Sequence, residues 1–426
     1  MTNSSDVDVV IVGGGISGLA AAYEVQQRGL RFELLEASSR FGGVILTEII
    51  DGFTIDAGPD ALLVQKPAGL KLCAELGLES HLQSTLEPRT AFILRNGVLH
   101  ALPEDSVLGI PTRMAPFIST GLFSLMGKLK FGLDLIRPRG SYGPDTDESI
   151  ASFFTRRFGK ESVDYLAEPL LGGIHAGNVE RLSMRALFPR FLEAEHRHRS
   201  LILGFRQQAK KLTSGGAFRS LPGGLEQLVH TLANALPQTH LHQQNKVVRL
   251  ESSQPYVVHC DSGKVIRTRT VILAIPAEHA ATLVAGVNSR LANLCRDIPH
   301  VSTATIALGY RRQAIRHPLK GTGFVVPRVE RGTRITAASW VSSKWPDRAP
   351  SDHVLLRAFL GGRRDPTVLD QPNAELIRIA HTDLARLLKI DEDPRLSKVY
   401  RWLRSTPQHE VGHLSRMKQI EVQLQK

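Results

Sequence analysis

A chain of 426 residues with 42% hydrophobic and 22% charged residues is globular in type and long enough for two or three domains. Its three cysteines, Cys73, Cys260 and Cys295, are odd in number, far apart and without metal-ligand spacing, which argues against a disulfide framework or a zinc site and for a reducing cytoplasm. The formal charge of +12 suits a nucleic acid, an anionic membrane surface or a carboxylate-rich small molecule, and does not choose among them.

The N-terminus, MTNSSDVDVVIVGGG, carries acidic residues ahead of its apolar run and so lacks the basic start of a secretory signal. VDVVIVGGG reads as a parallel strand covered on both faces, because the run is β-branched and unbroken until its glycines. Helix formers with an apolar stripe follow from Ile16 to Arg28, and Gly29 stands where a left-handed C-cap belongs. RFELLE then returns as a second strand ending at Glu36.

Within this βαβ unit Gly13, Gly15 and Gly18 fill G-x-G-x-x-G, and each has its own duty. Gly13 permits the tight turn, Gly15 admits a pyrophosphate to the helix N-terminus, and Gly18 lets helix and strand approach closely. Glu36, about 20 residues beyond the motif, is placed to accept hydrogen bonds from ribose hydroxyls. The expected dinucleotide contacts are Gly13, Gly14, Gly15, Ile16, Ser17, Gly18, Glu36 and Ala37. The continuation Glu36-Ala-Ser-Ser-Arg40-Phe-Gly42-Gly43 resembles the second glycine pair of flavoproteins with two dinucleotide-binding domains. That resemblance implies FAD rather than NAD, with Arg40 beside the pyrophosphate and Gly42 and Gly43 as a close backbone approach. Asp56-Ala57-Gly58-Pro59 looks like the D-x-G-P segment of the same superfamily, which lies beside the flavin; the plain alternative is an ordinary turn.

Between Ser106 and Arg137 the sequence is apolar but broken by Pro111, Pro116 and glycines, so short helices are expected. Its longest uncharged stretch, Met114 to Gly127, falls short of the ~20 residues that cross a bilayer. Lys128, Lys130, Arg137 and Arg139 edge it, the make-up of a helix in a membrane interface, and Phe117, Leu122 and Phe123 are the residues expected to enter. Core packing is the other reading. The basic run EAEHRHRS at 193–200, with Lys210 and Lys211 after it, reads as a solvated helix face before it reads as an anion site. Past Thr213 come a glycine-rich turn, a helix, three alternating strands and a buried one, the pattern of a β-meander set into a nucleotide-binding domain.

Three further segments narrow the resemblance. Glu168-Pro-Leu-Leu-Gly-Gly-Ile-His-Ala-Gly177, FRSLPGGLEQL at 218–228 and Pro407-Gln408-His409-Glu410-Val411-Gly412-His413 together resemble the oxygen-dependent, FAD-containing porphyrinogen oxidases, which usually have tyrosine where His409 stands. The implied fold is α/β, α+β overall: a Rossmann-like FAD-binding domain with a β-meander, a mixed-sheet substrate domain and a helical membrane or substrate insert. Motif order then divides the chain into 1–85 and 213–285 for FAD, 86–105 as a substrate-domain strand region, 106–212 as the insert, and 286–426 as substrate domain and start of the return to the flavin.

The resemblance implies six-electron oxidation of protoporphyrinogen IX or coproporphyrinogen III in haem biosynthesis, with molecular oxygen as acceptor and hydrogen peroxide released. It adds Val247 and Trp402 to the cofactor-binding residues. Since the flavin carries the chemistry, no catalytic residue and no metal ligand is nominated. Substrate contacts are expected at Arg89, Arg95, Gly173 and His175; the family's basic residue before the strand aromatic is replaced here by Ala91. Family members run on past the P-Q-x-x-x-G-H segment, so a chain ending at Lys426 is expected to lack the last flavin-contacting segment and to hold the ring loosely. A homodimer and a peripheral contact with the inner face of the cell membrane are the partners left open, and nucleic acid is not among them. An amine oxidase, a carotenoid desaturase or an inactive flavoprotein remnant are the rival readings.

Overall fold

The unbroken β-branched run at the N-terminus becomes the strand Asp6–Val12 at the centre of a six-stranded sheet, where both faces are covered. The computed structural model describes residues 6–425 apart from 104–105, 113, 141–142, 144–145, 210–215 and 253–254, so Lys210, Lys211 and Thr213 lie outside the described residues. Strand order in this sheet is Leu241–His242, Phe32–Leu35, Asp6–Val12, Val265–Leu273, Tyr256–Cys260 and Val247–Glu251. The first four are parallel and the last two antiparallel. The helix Ile16–Gln27 crosses over between the first two strands in sequence, and its chain reverses through Gly29 at φ +70°.

One detail differs from the sequence reading. The third meander strand and the buried strand after it are a single nine-residue strand, Val265–Leu273. Its first half pairs antiparallel with Tyr256–Cys260 and its stretch from Arg267 to Leu273 pairs parallel with Asp6–Val12, so the meander extends the nucleotide-binding sheet itself.

A second sheet has seven strands in the order Leu396–Pro407, His300–Arg311, His353–Gly361, Ala337–Trp340, Gly323–Val325, Ala91–Arg95 and Val98–Ala101. Its pairings are antiparallel except for Gly323–Val325 on Ala91–Arg95. The helix Asn373–Leu388 packs Leu376, Ile379, Ala380 and Leu384 onto one face. A third body of short helices has its own aromatic core, with Phe131 stacked on Phe158 at 4.4 Å between ring centres. The fold is thus α/β with a mixed second sheet and a helical insert.

The insert corrects the expectation about its apolar stretch. The short helices Met114–Ser119 and Leu125–Gly132 form, but Phe117, Leu122 and Phe123 are 0, 0 and 4% exposed and belong to the aromatic core. The outward side chains are Ile118, Leu125, Met126, Leu129 and Ile136, each more than half exposed. In the basic run at 193–200 the face is divided. His196 and Arg197 are exposed, while Glu195 and Ser200 turn inward, the carboxylate to Arg156 and the buried Arg157 and the hydroxyl to the buried Asp134.

Candidate functional site

The turn after Asp6–Val12 is built by glycines with different tasks. Gly13 has φ +105°, and a Cβ there would stand 2.6 Å from the Ala274 carbonyl oxygen. A Cβ on Gly18 would overlap the Gly13 carbonyl oxygen, so helix and strand meet only because it is absent. At Gly15 φ is an ordinary −68° and a Cβ would meet nothing nearer than the Gly43 Cα at 4.0 Å. Its lack of a side chain therefore leaves open space at the N-terminus of a twelve-residue helix whose N-cap has no side-chain bond and whose first turn has no acid. Ile16 and Ser17 open that helix.

Glu36 closes the turn from the other side. Its Oε2 accepts the Gly14 N–H at 2.6 Å, and its Oε1 accepts the Ser38 N–H at 2.8 Å and hydroxyl at 2.7 Å. A carboxylate offers about four acceptor positions, so capacity is left for ligand hydroxyls. Ala37 is exposed beside it. Behind them, Asn245 N–H donates to the Glu36 carbonyl and Gln244 N–H to that of Ser38, which brings the strand beginning at Val247 next to this loop; Val247 itself packs in the core.

Gly42 and Gly43, at φ +110° and +59°, run alongside the glycine turn, with Gly42 N–H donating to the Gly14 carbonyl at 2.8 Å. Arg40 behaves differently from a free pyrophosphate ligand. Its guanidinium donates to the carbonyls of Phe41, Gly43 and Ile45 and lies 3.6 Å from Glu226, so it braces the glycine loop from within. Carbonyls turned inward by two left-handed glycines need such a donor.

The loop Asp56–Asp60 is clamped at four of its five residues. Asp56, 1% exposed, accepts from Leu225 N–H and Thr47 and lies 3.3 Å from the buried Arg348. The Ala57 carbonyl accepts the Trp402 indole N–H at 3.0 Å, and the Gly58 carbonyl accepts Arg357 Nη2 at 2.8 Å. Asp60 accepts Lys344 Nζ at 2.8 Å and the Trp345 indole at 3.1 Å. Burial alone would raise the Asp60 pKa, but the charges of Lys344 and Arg357 and these hydrogen bonds hold it well below the usual carboxylate range. Pro59 is exposed.

Beside this loop opens a cavity of about 1050 Å³ between the helical insert and the seven-stranded sheet. Its lining combines the apolar Leu102, Leu108, Pro169, Leu170 and Ile174 with the charged Asp60, Glu87, Arg89, Lys344 and Arg357. Pro169 and Leu170 come from the π-helix Val163–Gly172, whose wider turn lets a proline sit inside it.

Of the expected substrate contacts, Arg89 and Gly173 line this cavity. Arg95 and His175 are not among its lining residues. Arg95 instead donates to Glu161 at 2.7 Å and to the Leu122 carbonyl and lies over the Tyr165 ring, fastening insert to sheet. The His175 ring packs near Phe188, and burial, together with the charges of His409 and Lys66, holds its pKa down at about 4. Lys344, Arg357 and Asp60 escaped sequence reasoning. A signal for Arg357 was present: it is the lone charge in the apolar strand core VLLRAFLG.

A family profile described as flavin containing amine oxidoreductase matches residues 16–418. The coproporphyrinogen III oxidase of Bacillus subtilis (strain 168) is 38% identical over 97% of this chain and 89% of its own length. That of Staphylococcus aureus (strain NCTC 8325 / PS 47) is 32% identical over 98% and 91% respectively. A crystal structure from Exiguobacterium sp. 255-15, named provisionally as a protoporphyrinogen oxidase, superposes with a TM-score of 0.86 at 32% identity, covering 98% of this chain and 91% of that one.

Proposed function

We infer the reaction from a premise the comparisons establish: the chain belongs to the flavin-containing amine oxidoreductases, within their porphyrinogen oxidase branch. Its cofactor is FAD. The space left by Gly15 at a helix N-terminus fits a pyrophosphate, and the remaining capacity of Glu36 fits a ribose. On this reading Gly13 to Gly18, Glu36 and the backbone at Val247 hold the ADP half, and Gly42, Gly43 and the loop Asp56–Pro59, braced by Trp402, border the ring. Bound there, FAD would supply the hydride acceptor and the route to oxygen for a net reaction in which one porphyrinogen and three oxygen molecules give one porphyrin and three hydrogen peroxide.

The chain's own task is to orient a large, flexible carboxylated ring and keep competing reactions out. The observation that carries the proposal is the cavity of about 1050 Å³, which shares Asp60 with the clamped loop and whose lining joins apolar side chains to Arg89, Lys344 and Arg357. That matches a tetrapyrrole with an oily centre and carboxylate arms. Coproporphyrinogen III, named for both bacterial relatives, is the substrate we favour. Anaerobic mixing of the FAD-loaded protein with coproporphyrinogen III, protoporphyrinogen IX, a primary amine and a carotene is the test. Flavin bleaching with porphyrin fluorescence is expected for coproporphyrinogen III. Bleaching by the amine or the carotene alone would move the protein to another branch of the family.

Peripheral attachment to an anionic membrane forms part of the same proposal. Among the described residues no helix is long and apolar enough to cross a bilayer. Leu125, Met126, Leu129 and Ile136 are exposed beside the exposed Lys130 and Arg139, a pairing suited to an interface. Replacing Leu125, Met126 and Leu129 with serine is expected to release the protein from anionic vesicles in a sedimentation assay, with little change in stability because the three are already in water. Unchanged sedimentation would remove the proposal.

A further inference from the structure

On the reading that this cavity takes the porphyrinogen, we propose that Arg357, seconded by Lys344, receives a carboxylate of the substrate and so decides which tetrapyrroles bind. Arg357 lies within the strand His353–Gly361 and is 3% exposed. A guanidinium carries five N–H donors. Nη2 donates to the Gly58 carbonyl, but the buried Nε and Nη1 have no hydrogen-bond partner among the described residues. Asp60 does not supply one, since its Oδ2 stands 3.8 Å from Nη1 and already serves Lys344 and Trp345.

Charge counting points the same way. The cavity lining holds three cations, Arg89, Lys344 and Arg357, against two anions, Glu87 and Asp60. Arg89 is matched by Glu87 at 3.0 Å, which leaves Lys344 and Arg357 sharing the single carboxylate of Asp60. A buried cation with unfilled donors is costly unless an anion completes it. A carboxylate entering the cavity supplies the missing charge to the pair. Because Nη2 of the same guanidinium holds Gly58, Arg357 is also placed to keep the bound substrate in register with the cofactor loop.

The test uses the FAD-loaded protein and two probes, coproporphyrin III and its tetramethyl ester, which share a ring but not the negative charges. Binding is followed by quenching of porphyrin fluorescence in wild type, Arg357→Gln and Lys344→Met. Glutamine keeps a donor for Gly58, and a retained flavin spectrum certifies the fold. Each variant is expected to bind the free acid roughly tenfold or more weakly, the loss of a charge-assisted hydrogen bond, and to bind the ester as wild type does. Equal weakening for acid and ester would overturn the assignment, as would unchanged affinity for the acid. If Arg357→Gln loses its flavin, Lys344→Met decides alone, since the Lys344 ammonium meets the loop only at the Asp60 carboxylate, which keeps the Trp345 indole. Wild type that binds neither probe would defeat the porphyrinogen reading itself, and the proposal with it.

Discussion

Gly15→Val is expected to abolish FAD retention while leaving the protein folded. The backbone at residue 15, φ −68° and ψ 175°, is open to any L-residue, and the nearest atom to a new Cβ is 4.0 Å away, so the substitution strains nothing in the fold. The valine methyl groups would instead fill the approach to the free N–H groups of the helix Ile16–Gln27, where a diphosphate must sit. Gly18→Val is the informative contrast, because there a Cβ overlaps the Gly13 carbonyl and the helix must leave its strand. The first variant should purify colourless with the melting temperature of FAD-stripped wild type, and the second should not purify as a folded species. Glu36→Ala lies between them, weakening FAD by about 1.5–3 kcal/mol, the size of a charged hydrogen bond. Absorbance at the flavin bands and an FAD titration decide; equal flavin occupancy in wild type and Gly15→Val would sink the cofactor-site assignment.

A large loss of stability is expected from Asp134→Ala. Asp134 is 0% exposed; its Oδ1 accepts Arg157 Nε at 2.9 Å and Nη2, and its Oδ2 accepts the Ser200 hydroxyl at 2.6 Å and the Ile202 N–H at 3.2 Å. It thereby ties the segment after Leu125–Gly132 to the helix Ile150–Phe158 and to the start of Leu201–Ala209. Removing the carboxylate leaves Arg157, 1% exposed, with the carbonyls of residue 134, Pro138 and Arg199 and a longer contact to Glu195 at 3.3 Å. Breaking one side of a buried ion pair costs about 3–5 kcal/mol, and urea unfolding should lose that amount. The double change Asp134→Leu with Arg157→Met should recover part of it, because an apolar pair has no charge to strand. A single-variant loss below about 1 kcal/mol, the range of an exposed pair, would show that the network is not what holds the insert together.

Several parts of this protein are written locally and were therefore legible in the chain. A strand that must be buried on both faces announces itself by an unbroken β-branched run, and a glycine at φ +105° or beneath a carbonyl has no substitute, so Asp6–Val12, Gly13 and Gly18 stand out without any knowledge of their neighbours. The short helices of the insert were equally local, since Pro111, Pro116 and the glycines interrupt the chain wherever it folds.

What tertiary structure alone decided is which side of each element meets what. Phe117, Leu122 and Phe123 face inward because helices from 150 to 205 supply the aromatic rings that cover them, while Leu125 and Met126, no more polar, are left outside. Arg95 is taken from the cavity by Glu161, 66 residues away, and Arg40 turns inward onto its own loop. Arg357 and Lys344 reach the cavity because Asp60, nearly 300 residues earlier, meets the second sheet there. Periodicity and turn chemistry specify the conformation of a segment, but the partner of an exposed face or a long charged side chain is set by contacts between segments far apart in the chain, and those exist only once the sheets and the insert have packed.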